Sequence, residues 1–142
     1  MFKKVCIIGC GLIGSSLARA IKKNGLSSKI VSSNRSEAIN KKVIELKIVD
    51  DSSSDTKKMA EDAELVVIAT PLSSYESVIL KIKDSLKNGT ILTDVGSVKE
   101  NIISLVEKAV PQNVSWISSH PIAGTEESGP EAGFSELFQN KW

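Results

Sequence analysis

At 142 residues, 41% of them hydrophobic, the chain has the length and apolar content of one packed domain. Its 18 basic and 17 acidic residues leave a formal net charge of +1 and gather into no block of either sign, which argues against a nucleic-acid or anionic-membrane partner. The lysines and apolar run that open the chain are too short for a signal-peptide core or a spanning helix, so a buried first strand and a cytoplasmic setting are expected.

That strand, residues 5–8, runs straight into Gly9-Cys10-Gly11-Leu12-Ile13-Gly14, and Ser15 to Ala20 continue as helix. A G-x-G-x-x-G at a strand-to-helix turn is a dinucleotide signature. Gly9 permits the tight turn, Gly11 lets backbone approach a pyrophosphate, and Gly14 lets the helix pack near the strand. The helix N-terminus, with Leu12 and Ile13, offers unpaired amides to the anion. Cys6 and Cys10 lie about 13 Å apart at ~3.3 Å per extended residue, too far for a disulfide. Two free thiols fit a reducing compartment, and Cys10, inside the glycine loop, is a candidate for alkylation.

The first helix should bury Ile13, Leu17, Ala20 and Ile21. A second strand at residues 30–31 leads to Ser32-Ser33-Asn34-Arg35-Ser36, where a NAD-preferring site would place an acid for the ribose hydroxyl. No acid stands there. Ser33, Asn34 and Arg35 instead suit a 2′-phosphate, so NADP is expected in preference to NAD. The alternative makes Arg35 a solvated side chain and Ser36 only the N-cap of the next helix, whose apolar face is Ile39, Val43 and Leu46.

Residues 50–55 read as a polar surface connection ending in the N-cap of a short helix through Met59. A strand at 65–69 ends in Thr70-Pro71, a proline that stops the ladder at the carboxyl edge, where a doubly wound sheet presents its ligand. Thr70 and Pro71 are therefore candidates for the nicotinamide end. Ser73 to Glu76 has capping-box spacing before a helix with Tyr75, Ile79, Ile82 and Leu86 on one face.

A strand at 90–93 leads to Asp94-Val95-Gly96-Ser97-Val98-Lys99, where Ser97 to Glu100 repeats the capping-box spacing ahead of Ile102, Leu105, Val106 and Ala109. The last strand, at 114–117, leads to His120-Pro121-Ile122-Ala123-Gly124-Thr125-Glu126, and Phe134 onward starts like a helix and stops uncapped. Strands alternating with crossover helices define an α/β chain, a Rossmann-type, doubly wound, mainly parallel sheet occupying residues 1–142. Both rich motifs fall at one sheet edge, and no metal-ligand spacing is present.

Taken together, the glycine loop, the Asp94 to Lys99 stretch and the His120 to Glu126 stretch resemble the prephenate and arogenate dehydrogenase family of tyrosine biosynthesis. The resemblance implies a nicotinamide-dependent oxidoreductase acting on a small-molecule substrate. It further implies that His120 takes the proton of a ring hydroxyl while hydride passes to the cofactor and carbon dioxide leaves. Imidazole suits that task, since it titrates near neutral pH. By the same resemblance Ser97 hydrogen-bonds near the hydroxyl, while Gly124, Thr125 and Glu126 face the substrate. The competing readings are a hydrogen-bonded structural histidine, a serine that only caps its helix, and a solvated loop acid.

Family members continue into a C-terminal helical domain that supplies a substrate-binding arginine and most of a homodimer interface. That domain is absent from the 142 residues, so a cofactor-binding fragment with little turnover is expected. Arg35 and Arg19 are not placed to hold a dicarboxylate. Two other readings stay open: a non-catalytic NAD(P)-binding module, and a dehydrogenase of another hydroxy acid with a lysine as base.

Overall fold

The computed structural model describes residues 1–97 and 100–140, and their side chains except those of 100–102 and 105. Six parallel strands form one sheet in the order β3-β2-β1-β4-β5-β6. They are β1 Val5–Ile8, β2 Ile30–Ser33, β3 Asp51–Ser53, β4 Leu65–Ile68, β5 Ile91–Asp94 and β6 Ser115–Ile117. Between them run α1 Leu12–Lys23, α2 Glu37–Glu45, α3 Thr56–Ala60, α4 Tyr75–Ile82 and α5 Glu100–Ala109. The strand order reverses between β1 and β4, which makes the carboxyl end of these two strands the switch point of the sheet.

Alternate residues divide the core. Cys6, Ile8, Val66, Ile68 and Leu92 face Met59 of α3, Tyr75, Val78, Ile79 and Ile82 of α4, and Val106 of α5. Val5, Ile7 and Val67 face Ala18 and Ile21 of α1 and Val43 of α2. Because β1 lies centrally, all four of its residues are buried, the pattern of a strand covered on both faces. On the α1 and α2 side the cover stops near β4, so Leu65, Ile91 and Thr93 are half-buried and Ile117 is 52% exposed.

Three expectations are corrected. Residues 51–53 are an edge strand rather than a plain connection. Ser and Asp have little β-propensity, but an edge strand pairs on one side only, and Ser52 Oγ lies 2.7 Å from Ser32 Oγ. The helix expected from Ser73 starts at Tyr75, after a 3₁₀ turn at Leu72–Ser74 that follows Pro71, so Ser73 lies inside the turn and makes no cap. Residues 134–140 form turns closed from i+3 to i, by the Leu137 and Gln139 amides, and Asn140 at φ +58° departs from helical geometry. The remaining bounds shift by one or two residues, and Asp55 caps α3 as expected, accepting from the Lys58 amide at 3.1 Å. The box from Ser97 to Glu100 lies partly outside the described residues.

The buried face of α1 is also displaced from the expected one. Gly14, Ser15, Ser16, Ala18 and Ile21 are buried, whereas Ile13, Leu17 and Ala20 are half-buried. Two contacts cause this. Gly14 sits against the first glycine of the turn, and residues 130–134 cross α1 so closely that Phe134 N–H donates to Ser16 Oγ at 3.1 Å. A Cβ on residue 14 would lie 2.0 Å from the Gly9 carbonyl oxygen. Gly14→Ala is therefore expected to cost at least the ~1–3 kcal/mol typical of core overpacking, read as a lowered urea midpoint with an unchanged m-value.

Candidate functional site

β1 ends in a turn that only glycine can make. Gly9 has φ +94°, and a Cβ there would meet the Ala69 carbonyl oxygen at 2.8 Å. Its amide donates to Ser33 O at 2.9 Å, which ties the turn to the end of β2. Gly11 is the N-cap of α1, exposed, with open space where a Cβ would stand. The amides that begin α1, at Leu12 and Ile13, have no carbonyl within the helix to bond, and no side chain caps them. No acid occupies the first turn, so the positive end of the helix dipole faces an unopposed groove.

The groove has a volume of about 670 Å³ and runs along the carboxyl edge of β1, β2 and β4. Gly9, Gly11, Ser33, Asn34 and Arg35 line it on one side, and Thr70, Pro71, Ser77 and Lys81 on the other. The Thr70 hydroxyl is buried and has no hydrogen-bond partner among the described residues. Ser33 Oγ lies 3.0 Å from Thr56 Oγ1, and Arg35 is exposed at the rim. Ser36 caps α2, accepting from the Ile39 amide at 3.4 Å.

Asn34 borders the groove, but its amide is turned inward. Oδ1 accepts from the Cys10 amide at 2.6 Å, and Nδ2 donates to Asn40 Oδ1 at 3.0 Å. Asn40 in turn bonds the Asn34 carbonyl at 3.0 Å, and Ser52 donates to Asn40 at 2.7 Å. The side chain at the end of β2 thus braces the glycine turn from below. Neither Asn34 as a brace nor Asn40 beneath it was legible, because nothing in their spacing marks a buried polar cluster.

Cys10 belongs to the same buried layer, at 1% exposure. Burial pushes its thiol up to about 11 against smaller opposing pulls from Ser32 and Asn34, and burial pushes Cys6 up to about 12. Burial thus speaks against Cys10 as an alkylation site, since the nucleophile is the thiolate.

A second centre lies at the ends of β5 and β6. Asp94 is fully buried and accepts from the Tyr75 hydroxyl at 3.0 Å, the Gly96 amide at 3.0 Å and the Ser119 amide at 3.1 Å. Burial, then the Asp94 charge beside it, holds the Tyr75 hydroxyl well above the usual phenol range. Thr93 Oγ1 donates to the Ile117 carbonyl at 2.6 Å. Ser97 and His120 follow these turns, both exposed. His120, Ser119 and Pro121 line the carboxyl end of a mostly apolar cleft of about 450 Å³ that runs along the open sheet face past Thr93, Val67 and Leu17 to Leu65, Leu26 and Phe2 at the amino end. Gly124, Thr125 and Glu126 lie further along the exposed loop, where Thr125 Oγ1 accepts from the Glu127 amide at 3.3 Å.

Of the expected residues, Gly9, Gly11, Ser33, Asn34, Arg35, Thr70 and Pro71 line the groove and His120 lines the cleft, two hollows that share no lining residue, whereas Leu12, Ile13, Gly14, Ser97, Gly124, Thr125 and Glu126 line neither. The sequence places Asp94 at the head of a motif and Tyr75 on a helix face, but that the two bond each other and that Asp94 bonds both turns had no signal in their spacing. Among the described residues no group of three potential ligands could hold a metal ion, and no helix is long and apolar enough to cross a membrane.

A glycine turn at the switch point of a doubly wound parallel sheet, opening on a groove at a helix N-terminus, defines a dinucleotide-binding domain. Residues 17–142 match the family model described as prephenate dehydrogenase, nucleotide-binding domain, and the chain belongs to that family. It is 36% identical over 140 residues to the cyclohexadienyl dehydrogenase of Zymomonas mobilis, covering 99% of this chain and 47% of that protein. The crystal structure of Aquifex aeolicus prephenate dehydrogenase in complex with hydroxyphenyl propionate and NAD+ matches with a TM-score of 0.91 and 26% identity, over 99% of this chain and 49% of that one. Synechocystis arogenate dehydrogenase matches with a TM-score of 0.88 and 28% identity, over 97% and 48%. The chain spans about half the length of each of these proteins.

Buried thiols give a direct check on the turn. Ellman's reagent at neutral pH should modify neither Cys6 nor Cys10 in the folded chain and both once it is denatured; rapid labelling of native Cys10 would mean that the turn opens readily.

Proposed function

We propose that this chain is the cofactor-binding half of a nicotinamide-dependent dehydrogenase that oxidatively decarboxylates prephenate or arogenate in tyrosine biosynthesis. The observation that carries this reading is the convergence, at one edge of the sheet, of the glycine turn and the loop that begins at His120, in a chain of this family.

The groove fits a dinucleotide on its own terms. Gly11 leaves open backbone where a pyrophosphate would approach, the uncapped start of α1 offers amides to its charge, and the partnerless Thr70 hydroxyl is available farther along the groove. Gly9, Gly11, Leu12, Ile13 and Gly14 would hold the pyrophosphate, with Thr70 and Pro71 toward the nicotinamide. At the adenosine end the absence of an acid after β2, with Ser33, Thr56 and exposed Arg35 on the wall, favours NADP over NAD. Asn34 contributes there through the turn that it braces.

When bound, the nicotinamide ring accepts a hydride. His120 takes the proton of the substrate hydroxyl as the carbon bearing that hydroxyl gives up its hydride. The ring carboxylate then leaves as carbon dioxide, and the electron pair of the broken bond enters the ring, which becomes aromatic. Ser97 donates a hydrogen bond near the same hydroxyl, and Gly124, Thr125 and Glu126 border the substrate. Free buried thiols agree with a reducing compartment, the cytoplasm.

Turnover of the full-length gene product with prephenate and with arogenate tests the reaction. Loss of a general base should lower kcat roughly 10²- to 10⁴-fold in His120→Asn while NADP affinity is kept; turnover at the wild-type rate would remove His120 from this role. Calorimetry on Arg35→Ala tests the cofactor choice. Losing a charge-assisted bond of ~1.5–3 kcal/mol should weaken NADP binding at least about tenfold and leave NAD nearly unchanged, and equal effects on both would refute a 2′-phosphate contact.

A further inference from the structure

The ladder between β5 and β6 stops at the pair Thr93 and Ile117. Beyond it the two strands enter turns that lead to Ser97 and to His120, and among the described residues no further strand pairing sets how far apart these turns stand. A side chain supplies what the ladder does not. Asp94 Oδ2 accepts from the Gly96 amide at 3.0 Å, next to Ser97, and Oδ1 accepts from the Ser119 amide at 3.1 Å, next to His120. Ser119 Oγ also donates to the Asp94 carbonyl.

The carboxylate has itself no freedom to move. It is completely buried, and the Tyr75 hydroxyl, at the first residue of α4, donates to Oδ2 at 3.0 Å. The turn leaves no room beside it, since a Cβ added to residue 96 would meet Leu72 Cδ2 at 2.5 Å, the Tyr75 hydroxyl oxygen at 2.9 Å and Asp94 Oδ2 at 3.1 Å. A buried charge is tolerated only when its lone pairs are satisfied, and here the satisfying donors come from the start of α4 and from both turns.

We propose that Asp94 is a positioning residue, one carboxylate that sets the separation of Ser97 and His120 by holding the backbone amide beside each. It rests on the dehydrogenase reading for what those two side chains do, and on the hydrogen bonds alone for how they are held.

Substitution chemistry separates positioning from mere stability. An asparagine at 94 keeps the size but has one acceptor oxygen, so its NH₂ must face either the Ser119 amide or the Gly96 amide and Tyr75 hydroxyl, donor against donor. Asp94→Asn therefore releases one turn. Tyr75→Phe removes a hydrogen bond of the same carboxylate yet leaves both turn amides held.

His120 is the sole histidine of the sequence, so the ring C–H resonance of a ¹³C-labelled sample reports on it alone. D94N should displace that resonance and change its pH titration, and Y75F should leave both near wild type, with NADP affinity preserved in each. In the full-length gene product D94N should lower kcat roughly 10- to 100-fold, the cost of a misplaced reacting group, with little change in KM. An unmoved His120 resonance with wild-type kcat in D94N would overturn the proposal, as would equal losses in D94N and Y75F. Should D94N not fold, hydrogen exchange in the wild-type protein decides: the Gly96 and Ser119 amides, both bonded to the carboxylate, should exchange slowly, and rapid exchange of either overturns the proposal. A wild-type product that neither binds nucleotide nor oxidises either substrate would defeat the dehydrogenase reading instead, and the His120 resonance would still decide on Asp94.

Discussion

Everything at the carboxyl edge of the sheet depends on how near α1 comes to β1. Residue 14 stands where a methyl group would fall inside the Gly9 carbonyl oxygen, and residue 9 turns through a left-handed conformation to get there. This approach brings the start of a helix, with its unbonded amides, directly over the switch point of the sheet. A helix set one side chain farther out would leave those amides over its own flank. The brace from Asn34 to the Cys10 amide secures the turn from the other side, at the cost of a polar layer in the interior that only complete hydrogen bonding makes tolerable.

The same solution recurs at the other end of the edge. Asn34 closes β2 and holds the turn after β1, and Asp94 closes β5 and holds the turns after β5 and β6. In both places a buried polar side chain at the last residues of a strand takes over where the ladder ends. The sheet thereby delivers loops whose backbones are fixed while the side chains that face outward, Arg35, Ser97 and His120, remain exposed.

Periodicity and turn chemistry carried most of the architecture. Apolar β-branched runs revealed five of the six strands at nearly their true positions, and the G-x-G-x-x-G named the switch point because each glycine answers a different steric demand. What stayed hidden is what tertiary contact alone decides. Asp51–Ser53 pairs as an edge strand with no apolar signal, because the partner strand and a serine hydroxyl do the work that side-chain hydrophobicity does elsewhere. Ser15 and Ser16 are buried because a segment more than a hundred residues later crosses over them. The motifs around Ser97 and His120 were visible as residue types, but that one aspartate holds the turns on both strands could be seen only once β5 and β6 lay side by side.

That crossing segment has a further effect. Between Ser119, bound to Asp94, and Pro130, whose carbonyl accepts from Arg19, the chain makes a span secured at both ends. Beyond Pro130, Lys42 pairs with Glu131 at 2.8 Å and Lys23 with Glu136, all exposed groups. The near anchor is a bond to a buried carboxylate, whereas these outer pairs are exposed and weaken as ionic strength rises. The loop that carries His120 to Glu126 is therefore a closed loop of fixed contour length, and its residual entropy, which a ligand must quench on ordering it, is set at one end by the core and at the other partly by the salt in the medium.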